Sequence, residues 1–410
     1  MVWTALMICL LGMAGCGAPA MDQDVSTQPT GREEITPAQR SQALAQQYVK
    51  NGDYEQAEIQ YKKGLAMDPA SVGMMRGLAD VYMKLAGRKK ESIKAMGGSP
   101  DTSQVIQAYY DKAVAVYDEA LEFAPGNTDI MEGRAYTLTA ATRYEEAVAE
   151  YQRVLAKKPD DASVHVNKAY ALGKMGEVDS AVQAYSRAVE LDPNDRDTIL
   201  RIARLLYDNN REPESRAWFG RAYMMDTSDN TLGRFLGALY IRAKDYESAV
   251  PIYEELVGGE SEDWRLQLNY AVALEKTDDP DEALLVYEEV IRLNPEKVEV
   301  YFQVADLLVD GERYSEGLEY ADRGLVVNPD IANGYASKGK ALEKLGTHLA
   351  KAKKFKDAEA RYTEARTVFQ KGLAINDPRF NDYFKKQIAR QEQLIDRNEA
   401  QADMHEYGYE

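Results

Sequence analysis

Between residues 162 and 195 the apolar positions form two helical stripes with a break between them. Val164, Ala169 and Leu172 fall on one face of a first helix. Gly176 interrupts the pattern, and Asp179 stands where a second helix would begin. Ala181, Tyr185, Ala188 and Leu191 share a face of that second helix. Pro193 ends it, because proline has no N–H to donate and clashes with the preceding turn. Neither helix of this 34-residue unit can bury its apolar face alone. Stacked copies of the unit can.

The copies are present. Steps of 34 from Pro193 reach Pro159 and Pro125 in one direction, and Thr227, Ser261, Pro295 and Pro329 in the other. Tyr185 recurs as Tyr117, Tyr151, Phe219, Tyr253 and Tyr287. A small residue at the eighth place recurs as Ala135, Ala169, Ala203, Gly237, Ala271 and Ala305. Another at the twentieth place recurs as Ala113, Ala147, Ala181, Ala249 and Ala283. Small residues let two helices approach closely, and the aromatic fills the space beside them. The period and this small–small–aromatic–proline pattern resemble the tetratricopeptide repeat (TPR) family. The family's tryptophan at the fourth place is replaced by Met75, Met131, His165 and Ile199. The resemblance implies an all-α, right-handed superhelical solenoid.

Nine such units are expected over residues 38–378, opened by Thr36 as N-cap and Pro37 at the first helical position. Two units carry insertions, near 88–107 and 347–360. The first adds 22 residues and the second 14, which split as 11 plus 11 and seven plus seven. Eleven and seven residues are about three and two helical turns, so both helices of each pair stay in phase with the stack. Two protruding hairpins are expected, the first turning at Gly97-Gly98, with Ser99 capping and Pro100 opening its second helix. Residues 379–398 read as an amphipathic helix that caps the last apolar face, and 399–410 as an acidic, frayed tail.

The first 37 residues do not share the repeat pattern. Val2 to Gly15 is uncharged and mostly apolar, and too short to span a bilayer, which takes about 20 residues. It reads as the apolar core of an export signal, residues 1–15. Met13-Ala14-Gly15-Cys16 resembles a bacterial lipobox, which implies cleavage before Cys16 and acylation of that cysteine. A Lys or Arg before the apolar run, usual in such signals, is missing. Residues 16–37 form the lipidated cysteine and a polar linker. The two cysteines, Cys9 and Cys16, both lie in this segment, so the mature protein would keep no free thiol and no disulfide. Gly17 after the cysteine favours the outer membrane, by resemblance to lipoprotein sorting in enteric-type bacteria.

The formal net charge is −18, which argues against nucleic acid as a partner, since phosphates call for clustered Lys and Arg. No catalytic or cofactor signature is present. His165, His348 and His405 are widely separated, and His405-Glu406 lacks the second histidine of a zinc-protease motif. No CxxC pair offers a thiolate zinc site. Gly97-Gly98 is not followed by a phosphate-loop lysine. Asp160-Asp161 and Asp278-Asp279 sit at turns where acids cap helices. No metal, cofactor or catalytic residue is therefore expected. Two basic clusters, Arg88-Lys89-Lys90 with Lys94 and Lys351, Lys353, Lys354 and Lys356, lie in the insertions. They read as solvated tips or as contacts for anionic headgroups or an acidic partner.

The family resemblance implies a protein-binding scaffold whose groove is lined by the first helix of each pair. Its groove places fall on Tyr136, Val166, Tyr170, Leu200, Arg204, Tyr207, Arg234, Ile241, Arg242, Arg265, Leu268 and Phe302. Four arginines among aromatic and aliphatic side chains suit a protein or peptide partner carrying acidic and apolar residues. The alternative is that these arginines pair with acids such as Asp208 and Glu275 and only hold repeats together. The expected role is a lipid-anchored scaffold supporting assembly or secretion in the bacterial envelope, facing the periplasm. The runner-up is a soluble cytoplasmic adaptor with a mis-assigned N-terminus.

Overall fold

A computed structural model describes residues 35–95, 100–258, 262–277 and 279–406. The apolar N-terminal run, Cys16, the linker to residue 34, the turn at Gly97-Gly98 with Ser99, Asp278 and residues 407–410 lie outside them. Nineteen helices and no strand occur among the described residues. The fold is an all-α solenoid of tetratricopeptide-like helix pairs. The chain divides into two compact units, Met1–Thr137 and Leu138–Glu410.

The first unit holds α1 (Pro37–Asn51), α2 (Tyr54–Met67), α3 (Val72–Ala95), α4 (Pro100–Phe123) and most of α5 (Thr128–Ala140). α1 starts where its sequence signals it. The Thr36 hydroxyl accepts from the Gln39 N–H at 3.2 Å, and the Gln39 side chain accepts from the Thr36 N–H at 2.8 Å. These are two of the donors a helix start leaves unpaired. α1 stops at Gly52, whose φ of 81° is a left-handed conformation that glycine adopts without a Cβ clash. α3 and α4 are each 24 residues long against 13 in α5, a gain of 11. Helix therefore occupies the described part of the first insertion, and α4 opens at Pro100. Tyr61, Met74, Met75, Leu78, Tyr82 and Tyr117 pack the core of this unit.

The second unit continues the pairs: α6 (Tyr144–Leu155), α7 (Ala162–Met175) with α8 (Val178–Leu191), α9 (Arg196–Asp208) with α10 (Glu212–Met225), and α11 (Asn230–Arg242) with α12 (Tyr246–Val257). α13 (Trp264–Lys276) with α14 (Pro280–Leu293), α15 (Val298–Asp310) with α16 (Tyr314–Val327), α17 (Ala332–Lys351) with α18 (Phe355–Ala374), and α19 (Asn381–Glu406) follow. The repeated aromatics Tyr151, Tyr253 and Tyr287 are fully buried, as are Ala169, Ala203, Ala271 and Ala305 beneath their neighbours. Ser215 stands where other units have alanine. It is also fully buried, because its hydroxyl donates to the Ala203 carbonyl at 2.8 Å. Ile199 is buried at the place of the missing tryptophan. His165, at the same place in α7, is only part-buried, and its Nε2 donates to the Pro159 carbonyl at 2.9 Å.

α17 and α18 are each 20 residues long against 13 in α15, a gain of seven. α19 runs to Glu406, eight residues beyond the end expected at 398, so 399–406 is helix rather than frayed tail. The lengthened α17–α18 pair is the reason, since it offers a taller face for α19 to cover. Phe384 of α19 is fully buried, and the buried Asn398 donates to the Phe355 carbonyl at 2.8 Å near the far end of that pair. The His405 ring lies 5.7 Å from that of Phe355.

Candidate binding surface

In the second unit the first helices α7, α9, α11 and α13 carry most of the expected groove residues. Helical spacing puts Leu200, Arg204 and Tyr207 on one stripe of α9, and Arg234 and Ile241 on one of α11. Val166, Leu200, Tyr207, Ile241 and Leu268 are part-buried, and Tyr170, Arg204, Arg234, Arg242 and Arg265 are exposed. Ile241, Trp264 and Leu268 pack on the cluster around Tyr253 and Tyr270. Tyr136 is exposed too, but it belongs to the first unit.

Phe302 does not belong to this surface. It is fully buried, and a Cβ on Gly324 or Gly334 would run into its ring. The ring fills the space that these two glycines leave between α15, α16 and α17. Its helical place matches a groove place, but the glycines opposite draw it inward.

The four arginines divide into two kinds. Arg234 reaches the Asp263 carboxylate at 2.6 Å, and its guanidinium holds that carboxyl below the usual aspartate range. Arg242 reaches Glu212 at 2.6 Å and lies 5.9 Å from the centre of the Tyr207 ring. Tyr207 in turn meets Phe235 edge-on at 5.3 Å. Arg204 and Arg265 have no acidic partner among the described residues; Arg265 lies over Trp264 at 4.5 Å. So two arginines tie neighbouring repeats together, through Asp263 and Glu212 rather than Asp208 and Glu275. Glu275 instead accepts from the Tyr287 hydroxyl at 2.7 Å.

Sequence reasoning missed Asp263, Glu212, Phe235 and Trp264. A signal for Asp263 existed, since Asp161, Asp195, Asp229 and Asp263 recur every 34 residues. Each caps a first helix: the backbone N–H groups of Val164, Thr198, Leu232 and Arg265 donate to them. Arg196 pairs with Asp229 at 2.7 Å as Arg234 does with Asp263. Of the first basic cluster, Arg88 is not a free cation. It pairs with Glu55 at 3.1 Å, donates to the Gly52 carbonyl and lies 4.5 Å from the Tyr54 ring centre. No group of three or more potential metal ligands occurs among the described residues, and none of their helices is long and apolar enough to cross a membrane.

Sequence patterns described as tetratricopeptide repeat match residues 43–96 and 160–296, and one described as TPR repeat matches 135–176. The chain belongs to the tetratricopeptide repeat family. A comparison with curated proteins returned no match. Among solved structures, a TPR protein from Parabacteroides merdae is 17% identical over 66% of this chain and 98% of its own, with a TM-score of 0.40. YrrB, described as a TPR protein with an unusual peptide-binding site, is 19% identical over 46% of this chain and 97% of its own, with a TM-score of 0.34. MamA from Desulfovibrio magneticus is 14% identical over 41% of this chain and 95% of its own, with a TM-score of 0.30. TPR proteins are in general non-catalytic and bind peptide or protein partners, so the chain is a protein-interaction scaffold.

Proposed function

We propose that this TPR scaffold does no chemistry of its own. It binds an extended or helical peptide rich in acidic and apolar side chains across α7, α9, α11 and α13. The observation that carries this reading is the exposure of Arg204 and Arg265, without acidic partners among the described residues, in a chain of net charge −18. Each presents a planar fork that binds a carboxylate through two hydrogen bonds. Tyr170, Tyr207, Leu200 and Leu268 stand on the same four helices as apolar anchors. The proposal extends to place. The apolar run ending in Met13-Ala14-Gly15-Cys16 supports a lipid on Cys16, and with it a scaffold at the bacterial envelope that serves assembly or secretion.

Partner capture from crosslinked envelopes tests the surface. Arg204→Glu with Arg265→Glu is expected to cut capture by about tenfold or more, as reversal of a charge-assisted contact does. Melting temperature is expected to hold, because neither arginine ties two repeats. Unchanged capture would place the binding surface elsewhere. Fractionation of wild type and Cys16→Ser tests the anchor. Acylation predicts release by detergent and not by high salt, and loss of membrane association in the variant. A wild type that salt alone releases would leave the soluble-adaptor reading.

A further inference from the structure

The exposed face of the second helices breaks its own pattern twice. Two places on that face, one helical turn apart, hold an ion pair in α8, where Arg187 meets Glu190 at 2.9 Å, and in α14, where Arg292 meets Glu289 at 2.6 Å. The same places hold Arg221 and Met224 in α10, and Arg323 and Val326 in α16. These two helices stand three periods of 34 residues apart and carry the same series. It reads Trp218, Arg221, Met224, Met225 in one and Tyr320, Arg323, Val326, Val327 in the other. Steps of three and four keep each series on one side of its helix.

Met224 and Val326 are 78% and 84% exposed, the highest values for a large apolar side chain among the described residues. Each arginine lies over the ring of its own series, Arg221 at 5.5 Å from Trp218 and Arg323 at 4.5 Å from Tyr320. Neither has an ion pair among the described residues. Stacking fixes the guanidinium plane and leaves its N–H edge open. An open cavity of about 640 Å³ adjoins Arg323, lined by Tyr301, Leu318 and Val326. Glu319 and Asp322 line it too, and Lys338 holds Asp322 at 2.5 Å. An exposed arginine alone needs only water. Here each is held on an aromatic ring beside uncovered apolar side chains, and the combination recurs at equivalent places. Aromatic, methionine and arginine side chains are the types enriched where proteins meet.

Charge decides what covers these two stations. Like stations of two copies would set arginine against arginine. An anionic bilayer would have to approach a chain of net charge −18. A helix with carboxylates beside an apolar ridge meets neither obstacle. Its ridge covers the apolar pair, and a carboxylate takes the open edge of the arginine through two hydrogen bonds. We propose that α10 and α16 each dock an acidic, amphipathic helix of a partner protein, at stations separate from the peptide surface on the first helices.

Fluorescence anisotropy tests this in the full chain carrying Arg204→Glu and Arg265→Glu. Those changes disable the peptide surface, so its failure and the failure of these stations are read separately. The probe is a labelled helical peptide of about 18 residues, with leucine along one ridge and glutamate beside it. It is expected to bind saturably, two per chain, and a peptide with lysine for glutamate about tenfold or more weakly. Arg221→Glu is expected to halve the stoichiometry. Arg221→Glu with Arg323→Glu, and separately Met224→Ser with Val326→Ser, are expected to weaken binding about tenfold or more with melting temperature unchanged. Absence of saturable binding, or binding indifferent to both pairs of substitutions, overturns the stations. Phosphatidylglycerol vesicles that bind the chain through Arg221 and Arg323 overturn the helix in favour of lipid. Self-association in sedimentation that Arg221→Glu with Arg323→Glu abolishes overturns it in favour of a second copy.

Discussion

At the turn between the two helices of a pair, one residue carries a positive φ in unit after unit. Gly52 and Gly176 hold it at 81° and 83°. Thr142, Asn210, Lys244 and Glu312 hold it at 59–61°, each 34 or 68 residues from the next. For a residue with a Cβ this region costs about 1–2 kcal/mol, and asparagine tolerates it best. Glycine at these places loses part of that gain to its freer unfolded chain. Thr142→Gly, Lys244→Gly and Glu312→Gly are each expected to stabilise the protein by about 0.5–1 kcal/mol, and Asn210→Gly by close to nothing. Urea denaturation measures it, and destabilisation by all four would refute the strain. In the sequence this device shows at Gly52 and Gly176, while the turns at Thr142, Asn210, Lys244 and Glu312 carry no glycine at that place. The same limit applied to Phe302. Its helical place reads as groove, and only the position of Gly324 and Gly334 in space shows why the ring turns inward.

The lengthened pairs and the cap act at the scale of the element. The insertion lengths alone gave the phase argument, and the gains of 11 and seven residues per helix follow it. The end of α19 was not legible. Residues 399–406 hold only Ala400, Ala402 and Met404 as apolar positions, too few for a buried face to be read from them. Glu343 shows how α19 is held: Arg390 reaches it at 2.9 Å and the fully buried Gln391 donates to it at 2.5 Å. A chain cut after Asn376, which removes α19 whole, leaves Val368, Phe369 and Gly372 open to water. It is expected to aggregate and to lose ten degrees or so of melting temperature, by scattering and calorimetry, since terminal repeats need a polar outer face. A chain cut after Asn398 keeps Phe384 and Gln391 and is expected to stay soluble with a small loss. Equal behaviour of the two would show that α19 is not the cap.

Over the whole molecule the repeated tyrosine sets a response to alkali. Burial raises the Tyr117, Tyr185, Tyr253 and Tyr287 hydroxyls above their usual range, and Asp80 and Glu275 push Tyr117 and Tyr287 further. Below about pH 10 these groups are protonated in both the folded and the unfolded chain, and their contribution is full. Above it the unfolded chain loses protons first, so stability falls as pH rises. Urea midpoints are expected to drop between about pH 9.5 and 11, with part of the tyrosinate absorbance appearing only on unfolding. A flat profile would contradict the raised values. The sequence by itself determined the repeat, because a 34-residue period of small and aromatic positions has one stable solution, stacked helix pairs. It also determined where the long hairpins fall, since helical phase restricts what an insertion can do. Only the tertiary structure decided which arginines are free and which are tied. It also decided how far α19 runs. Each of these depends on side chains about 30 to 50 residues apart, beyond the reach of any local pattern.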